Sequence, residues 1–177
     1  MNRRPPAHPR ARAAAPLATI KLLVLDVDGV LTDGRLYFST RGEELKVFHV
    51  RDGHGIKLLM LSGVAVAAVS GRRSAAVTAR MRELGVRHVI QACRDKVAAL
   101  AELTRKLRID PQASACIVDD TPDLPLMSAV GFAAAVADAH PLVKSAAHWT
   151  SKAPGGAGAV RELCDAILRA RARGRLR

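Results

Sequence analysis

Aromatic side chains are scarce: three Phe, one Tyr and one Trp among 177 residues, 3% of the chain. Since 49% of the residues are nonetheless hydrophobic, the core must rest on Ala, Val, Leu and Ile. That suits Val-rich strands covered by Ala- and Leu-rich helices, an α/β design. Cysteine is sparse too. Cys93, Cys116 and Cys164 are odd in number, widely spaced and without a CxxC pair, which argues against a disulfide framework and a structural zinc site. They read as ordinary buried or partly exposed thiols. Long apolar runs are missing as well. No stretch is long enough to span a bilayer, and Pro5, Pro6, Pro9 and Pro16 interrupt the Arg-bearing leader before it reaches signal-peptide length. A cytoplasmic protein with no membrane partner is expected.

Acidic residues are outnumbered, 16 against 28 Lys and Arg, for a net charge of +12. Clustered positive charge points towards nucleic acid. Its distribution argues otherwise. Arg3, Arg4, Arg10 and Arg12 lie in the leader, and Arg169, Arg171, Arg173, Arg175 and Arg177 lie at the far end. These read as solvated basic tails with at most weak nonspecific affinity. The expected organisation is a disordered basic leader over 1–18, one catalytic domain over 19–150, and a Gly-rich hinge with a C-terminal basic helix or tail over 151–177.

Between the tails, short apolar runs alternate with helical patterns. Ile20 to Leu25 is apolar apart from Lys21 and stops at Asp26-Val27-Asp28-Gly29, as a buried parallel strand does. Leu36–Phe38 and Leu45–Phe48, with a turn near Gly42, predict a hairpin that projects from the core. A helix from Gly55 to Leu61 precedes a strand over Val64–Val69, which stops at Ser70. Ser74 is placed to cap a helix ending at Gly85, and Val86–Ile90 makes a strand. Asp95 is placed to cap a helix from Lys96 to Leu107, and Ala115–Val118 forms a strand that ends at Asp119-Asp120. Pro122–Val130 then reads as a helix and Phe132–Val136 as a strand. Alternation of this kind predicts a Rossmann-like three-layer fold with a mainly parallel sheet, whose ligands bind beyond the carboxyl ends of the strands. Asp26, Asp28, Ser70, Asp119 and Asp120 all fall there. No internal repeat is evident.

Phosphate monoesters hydrolyse very slowly unaided, so an enzyme must supply a nucleophile, a proton donor and positive charge for the phosphoryl oxygens. Asp26 can attack phosphorus to form an aspartyl-phosphate, and Asp28 can protonate the leaving oxygen and later deprotonate water. Asp119 converging with these acids would repel them unless a hard cation such as Mg²⁺ intervened. Ser70 can donate to a phosphoryl oxygen, and Lys96 can place positive charge beside Asp26. Asp120 and Asp123 can orient Lys96, support a metal-bound water or cap the next helix.

DVDGVLTDG from Asp26, Ser70 in VSGR, Lys96 in RDKVAAL and DDTPD from Asp119 together resemble the haloacid dehalogenase superfamily of phosphohydrolases. Over residues 20 to 168, GEELKVFHVRDGHGIKLL, VSGRRSAAVTARMRELGV, VADAHPLV and GGAGAVRELCDAIL resemble its 3-deoxy-D-manno-octulosonate 8-phosphate phosphatase family, a capless branch of lipopolysaccharide sugar synthesis. The resemblance implies a Mg²⁺-dependent homotetramer in which neighbours' hairpins and tails help close the site. It assigns the metal to Asp26, the Asp28 carbonyl and Asp119. Substrate contact falls to Asp28, His49, Val50, Arg51, Asp52, Gly53, Lys57, Arg72, Arg80 and Lys96. A sugar acid phosphate carries two anionic groups, which suits Arg51, Arg72 and Arg80. Four positions depart from the family's habits. Val118 replaces a Gly, His49 an Asn and Lys57 an Arg, and Ala157 stands where the Gly-rich tail usually carries Arg.

Those departures leave two other readings open: a phosphatase for a related sugar acid, such as a nine-carbon ulosonate 9-phosphate, and an inactive scaffold or nucleic-acid-associated protein. His49, His54 and His140 match no zinc spacing. Gly155, Gly156 and Gly158 lack the strand and Lys of a phosphate-binding loop, and read instead as a flexible hinge.

Overall fold

Leu22–Leu25 (β1) is wholly buried, and its position explains why it carries no polar residue: it pairs in parallel with a strand on either side and is covered on both faces. This computed structural model describes residues 17–42 and 44–174. After β1 come the short strands Tyr37–Phe38 (β2) and Glu44–Leu45 (β3), then Val50–Leu61 (α1), Ala65–Val69 (β4), Ala75–Leu84 (α2) and His88–Ile90 (β5). The chain continues through Lys96–Leu107 (α3), Ser114–Val118 (β6), Leu124–Ala129 (α4) and Phe132–Ala135 (β7). It closes with Pro141–Ala146 (α5), Trp149–Thr150 (β8) and Ala159–Gly174 (α6).

Six strands form one sheet in the order β5-β4-β1-β6-β7-β8, and every pairing in it is parallel. The chain winds outward from β1 in both directions, so the order reverses beside β1 and a crevice opens between the carboxyl ends of β1 and β6. Among the described residues between β1 and β4, the strands are the antiparallel pair β2 and β3, a hairpin rather than a cap domain. The core joins Leu22, Leu23 and Leu25 to Ile56 and Leu59 of α1, Met81 of α2, Ile117 of β6, and Leu163 and Ile167 of α6.

Helix α1 is longer than the sequence pattern indicated, beginning at Val50 instead of Gly55. Gly53 and Gly55 disguise its first turns, and packing explains both. A Cβ on Gly53 would lie 2.9 Å from Leu84, and one on Gly55 would lie 2.9 Å from Arg161 and 3.2 Å from Cys164. The helix Pro122–Val130 is a 3-10 turn over Thr121–Asp123 followed by the shorter α4. Ser74 occupies the first cap position of α2 but makes no side-chain cap bond.

The expected basic leader lies outside the described residues except at its end. There Leu17–Thr19 forms a 3-10 turn that adjoins α6. Arg171 of α6 donates to the Ile20 carbonyl at 3.0 Å and the Ser62 carbonyl at 3.2 Å, which ties the C-terminal helix across the start of β1. Glu43, Arg175 and Arg177 also lie outside the described residues. Among the described residues, no helix is long and apolar enough to cross a membrane.

Candidate active site

Four strand or helix ends meet at the crevice beside β1. Asp26 follows β1, Ser70 follows β4, Lys96 opens α3 and Asp119 follows β6. They line one cleft of about 450 Å³ together with Asp28, Gly34, Gly71, Arg72, Cys93, Arg94, Asp120, Pro122 and Asp123. A larger apolar groove, about 580 Å³, lies at the other end of the strands, against Val64, Ala65 and His88; no acidic side chain lines it.

The loop after β1 is tightly wound. The N–H groups of Val30, Leu31 and Thr32 all donate to the Val27 carbonyl, at 3.3, 2.9 and 3.1 Å. Thr32 Oγ1 accepts from Gly29 and Gly34 N–H. Gly29 has φ +87°, a conformation that disfavours any side chain, and a Cβ there would lie 2.6 Å from Asp119 Cγ. The glycine of the DVDG motif is therefore required twice: by the turn, and by the approach of the second acid.

Lys96 Nζ donates to Asp26 Oδ1 and to an Asp123 carboxylate oxygen, both at 2.8 Å. Asp95 holds the first turn of α3 in place by accepting from Val97 and Ala98 N–H at 2.9 Å, as the sequence indicated. Burial lowers the Lys96 pKa, but the charges of Asp26 and Asp123 outweigh it and the net shift is upward. One cation does not neutralise the acids. Burial, and then the Asp26 charge, push Asp119 up to about 7 and raise Asp123 as well.

Oxygens of Asp26, Asp119 and Asp123 lie within 4.8 Å of one another. Three crowded hard-oxygen donors fit a divalent cation that takes carboxylates, such as Mg²⁺. Asp123, expected in a supporting role, lies beside Asp26 and Asp119 and also holds Lys96. Asp120 stays outside it, exposed, and caps the 3-10 turn by accepting from Thr121 N–H at 2.7 Å. Asp28 turns its side chain away, accepting from Ser70 Oγ at 3.4 Å and from Lys46.

Lys46 was not identified from the sequence. Its side chain is almost fully buried and also lies 3.3 Å from Glu44, which in turn accepts from Arg72 at 3.0 Å. Arg72 thus reaches the cleft as expected, tied to the hairpin. The remaining residues assigned to substrate by resemblance do not line the cleft of their own chain. His49 caps α1 by accepting from Arg51 N–H at 3.2 Å, Val50 and Arg51 are exposed, Lys57 faces the apolar groove, and Arg80 pairs with Glu83 at 2.8 Å.

Asp52 and Gly53, also assigned to substrate by resemblance, are buried at the start of α1. The Asp52 carboxylate accepts from Arg161 N–H at 2.7 Å and fixes the start of α6, although burial raises its pKa. The glycine-rich stretch, expected as a hinge, makes specific contacts. Gly155 N–H donates to Asp138 at 2.9 Å and Gly156 N–H to the Val30 carbonyl at 2.9 Å, so this stretch packs on the loop that carries Asp26 and Asp28.

A parallel α/β sheet with an acidic cluster and a lysine at its switch point accords with the haloacid dehalogenase-like hydrolases, whose family model matches residues 87–163. Within it the chain belongs to the 3-deoxy-D-manno-octulosonate 8-phosphate phosphatase family. It is 48% identical to the Yersinia pestis phosphatase of that name over 85% of this chain and 81% of the relative. The Escherichia coli K12 protein is 46% identical over 89% and 84%. The Yersinia pestis crystal structure superposes with a TM-score of 0.87, covering 89% of this chain and 85% of the other at 47% identity. The Moraxella catarrhalis phosphatase, solved with a magnesium ion, a phosphate ion and a KDO molecule, gives 0.87 at 40% identity, covering 91% and 92%.

Proposed function

We propose that this protein hydrolyses 3-deoxy-D-manno-octulosonate 8-phosphate to the free sugar acid and phosphate, within lipopolysaccharide sugar synthesis in the cytoplasm. The observation that carries the reading is the convergence of Asp26, Ser70, Lys96 and Asp119 on one cleft, in a chain 48% identical to a phosphatase of that name. Asp26 attacks phosphorus and takes the phosphoryl group as an aspartyl-phosphate. Asp28 gives a proton to the departing sugar oxygen, then takes one from the water that cleaves the intermediate. Ser70 and Lys96 hold phosphoryl oxygens, and the Lys96 contact also keeps Asp26 aimed. The carboxylates of Asp26 and Asp119 and the carbonyl of Asp28 would hold Mg²⁺, with Asp123 adjoining; when bound it supplies positive charge to the phosphoryl group.

A homotetramer is part of the same reading. The hairpin region exposes Leu36, Phe38, Leu45, Val47 and Val50, an apolar surface that a neighbouring chain would cover. The start of α1, with His49 and Arg51, lies off its own chain's cleft and would be free to serve a neighbour's.

The test compares kcat/KM for this substrate with that for a panel of sugar phosphates containing a nine-carbon ulosonate 9-phosphate. A marked preference for the eight-carbon substrate is expected. Preference for the nine-carbon acid would transfer the assignment to that substrate, and phosphate release from none of them would leave a scaffold. Removing residues 1–16 and 175–177, which leaves Arg171 of α6 in place, should lower any nucleic-acid binding and spare turnover.

A further inference from the structure

Among the described residues, the cations in and beside the cleft are committed to acids, with one exception. Lys96 is held by Asp26 and Asp123, Lys46 by Asp28 and Glu44, and Arg72 by Glu44. Arg94 lines the same cleft, is exposed, and has no carboxylate partner among the described residues. Its backbone, by contrast, is closely fixed. Ala92 adopts φ +54°, a left-handed conformation unusual for a residue with a side chain. Such a conformation persists where surrounding contacts over-determine it, and functional sites are where these positions cluster. Here Ala92 N–H donates to the Arg72 carbonyl at 3.1 Å and Cys93 N–H to the Ser70 carbonyl at 3.0 Å. On the other side Asp95 is locked as the cap of α3. The turn therefore sets Arg94 on the cleft wall between two anchored residues, Cys93 and Asp95, the first of which also lines the cleft.

Building on the phosphatase reading above, we propose that Arg94 is a substrate-binding residue that receives an oxyanion of the substrate. The guanidinium presents paired donors matched to a carboxylate or phosphate, and none of its capacity goes to an acid among the described residues. With the phosphoryl group at Asp26, the oxyanion left for Arg94 is the carboxylate of the sugar acid.

The test is steady-state kinetics of the full chain with Mg²⁺, for wild type, Arg94→Ala, Arg94→Lys and Arg82→Ala. The last removes the same charge from an exposed position on α2 outside the cleft. Substrates are 3-deoxy-D-manno-octulosonate 8-phosphate and an aryl phosphate without a carboxylate. Arg94→Ala is expected to raise KM for the sugar acid phosphate about tenfold with kcat within about twofold, while Arg94→Lys recovers part of the loss. An unchanged KM for the aryl phosphate places Arg94 on the carboxylate, and an equal rise places it on the phosphoryl group. Unaltered KM for both substrates, or the same shift in Arg82→Ala, overturns the inference. A wild type silent on the sugar acid phosphate overturns the phosphatase reading instead, which separates the two failures.

Discussion

Gly155→Ala should damage catalysis without touching a single polar group of the cleft. An added Cβ would stand 2.6 Å from the Gly29 carbonyl carbon and 3.1 Å from the Thr32 carbonyl oxygen, with the Gly29 oxygen nearer still. Carbon atoms in good contact sit about 3.5–4 Å apart, so backbone must move by about 1 Å. All three atoms belong to backbone, and Gly155 is itself held by Asp138 at 2.9 Å, so no flexible side chain can give way. The displaced loop carries Asp26, Asp28 and Gly29. Overpacking of this kind costs about 1–3 kcal/mol, and a 1 Å misplacement of reacting groups costs roughly 100-fold in rate. The control is Gly63→Ala. Gly63 has φ +86° but nothing within 4 Å of its Cβ, so it should lose about 1 kcal/mol through backbone strain and keep its kcat. The assay is thermal unfolding of both variants beside kcat for phosphate release. Wild-type kcat in Gly155→Ala would refute the claim that the glycine-rich stretch braces the nucleophile loop.

Lys96→Met removes the cation between two buried acids, and breaking such pairs costs about 3–5 kcal/mol; kcat should also fall by roughly 10²–10³-fold, measured on protein shown by circular dichroism to be folded. Stability should depend on pH through Asp119. Its pKa rises from 3.8 to about 7 on folding, so its contribution is full below about 4 and is lost as pH rises through about 7. Melting with EDTA should therefore show a Tm that falls over that window, and Mg²⁺ should stabilise more at pH 8 than at pH 5 because protons compete for the same carboxylates. Equal Mg²⁺ stabilisation at both values would contradict this. Phe38→Ser with Leu45→Ser, at positions 59% and 64% exposed, should lower the mass seen by light scattering if the hairpin is an interface.

The chemistry of the site was more legible in the sequence than its surroundings. Asp26, Ser70, Lys96 and Asp119 could be read because each stands where an apolar strand stops or a capped helix starts, and the structure brings all four to one cleft. Asp95 was equally clear, since a cap followed by an amphipathic run is local information. Helix α5 and strand β8 escaped notice, being six and two residues long, too short to show a period. The bracing of the nucleophile loop by Gly155 and Gly156, more than 120 positions away in sequence, depends on tertiary approach that local composition does not record. So does Asp52, whose exposed-looking position in a charged stretch conceals a bond to the start of α6. Lys46 was hidden for a related reason. In a short hairpin it looks like a surface residue, and only the fold of the hairpin over the cleft brings it to Asp28.

The central claim is that Asp26 carries the phosphoryl group in a metal-dependent phosphatase. Its most direct test is phosphate release from 3-deoxy-D-manno-octulosonate 8-phosphate by wild type and Asp26→Asn, with Mg²⁺ or EDTA, alongside peptide mass mapping of acid-quenched wild type for a phosphoryl adduct. Turnover lost with EDTA and in Asp26→Asn, with the adduct on Asp26, is the predicted result. Undiminished turnover by Asp26→Asn, or an adduct on another residue, would contradict the account.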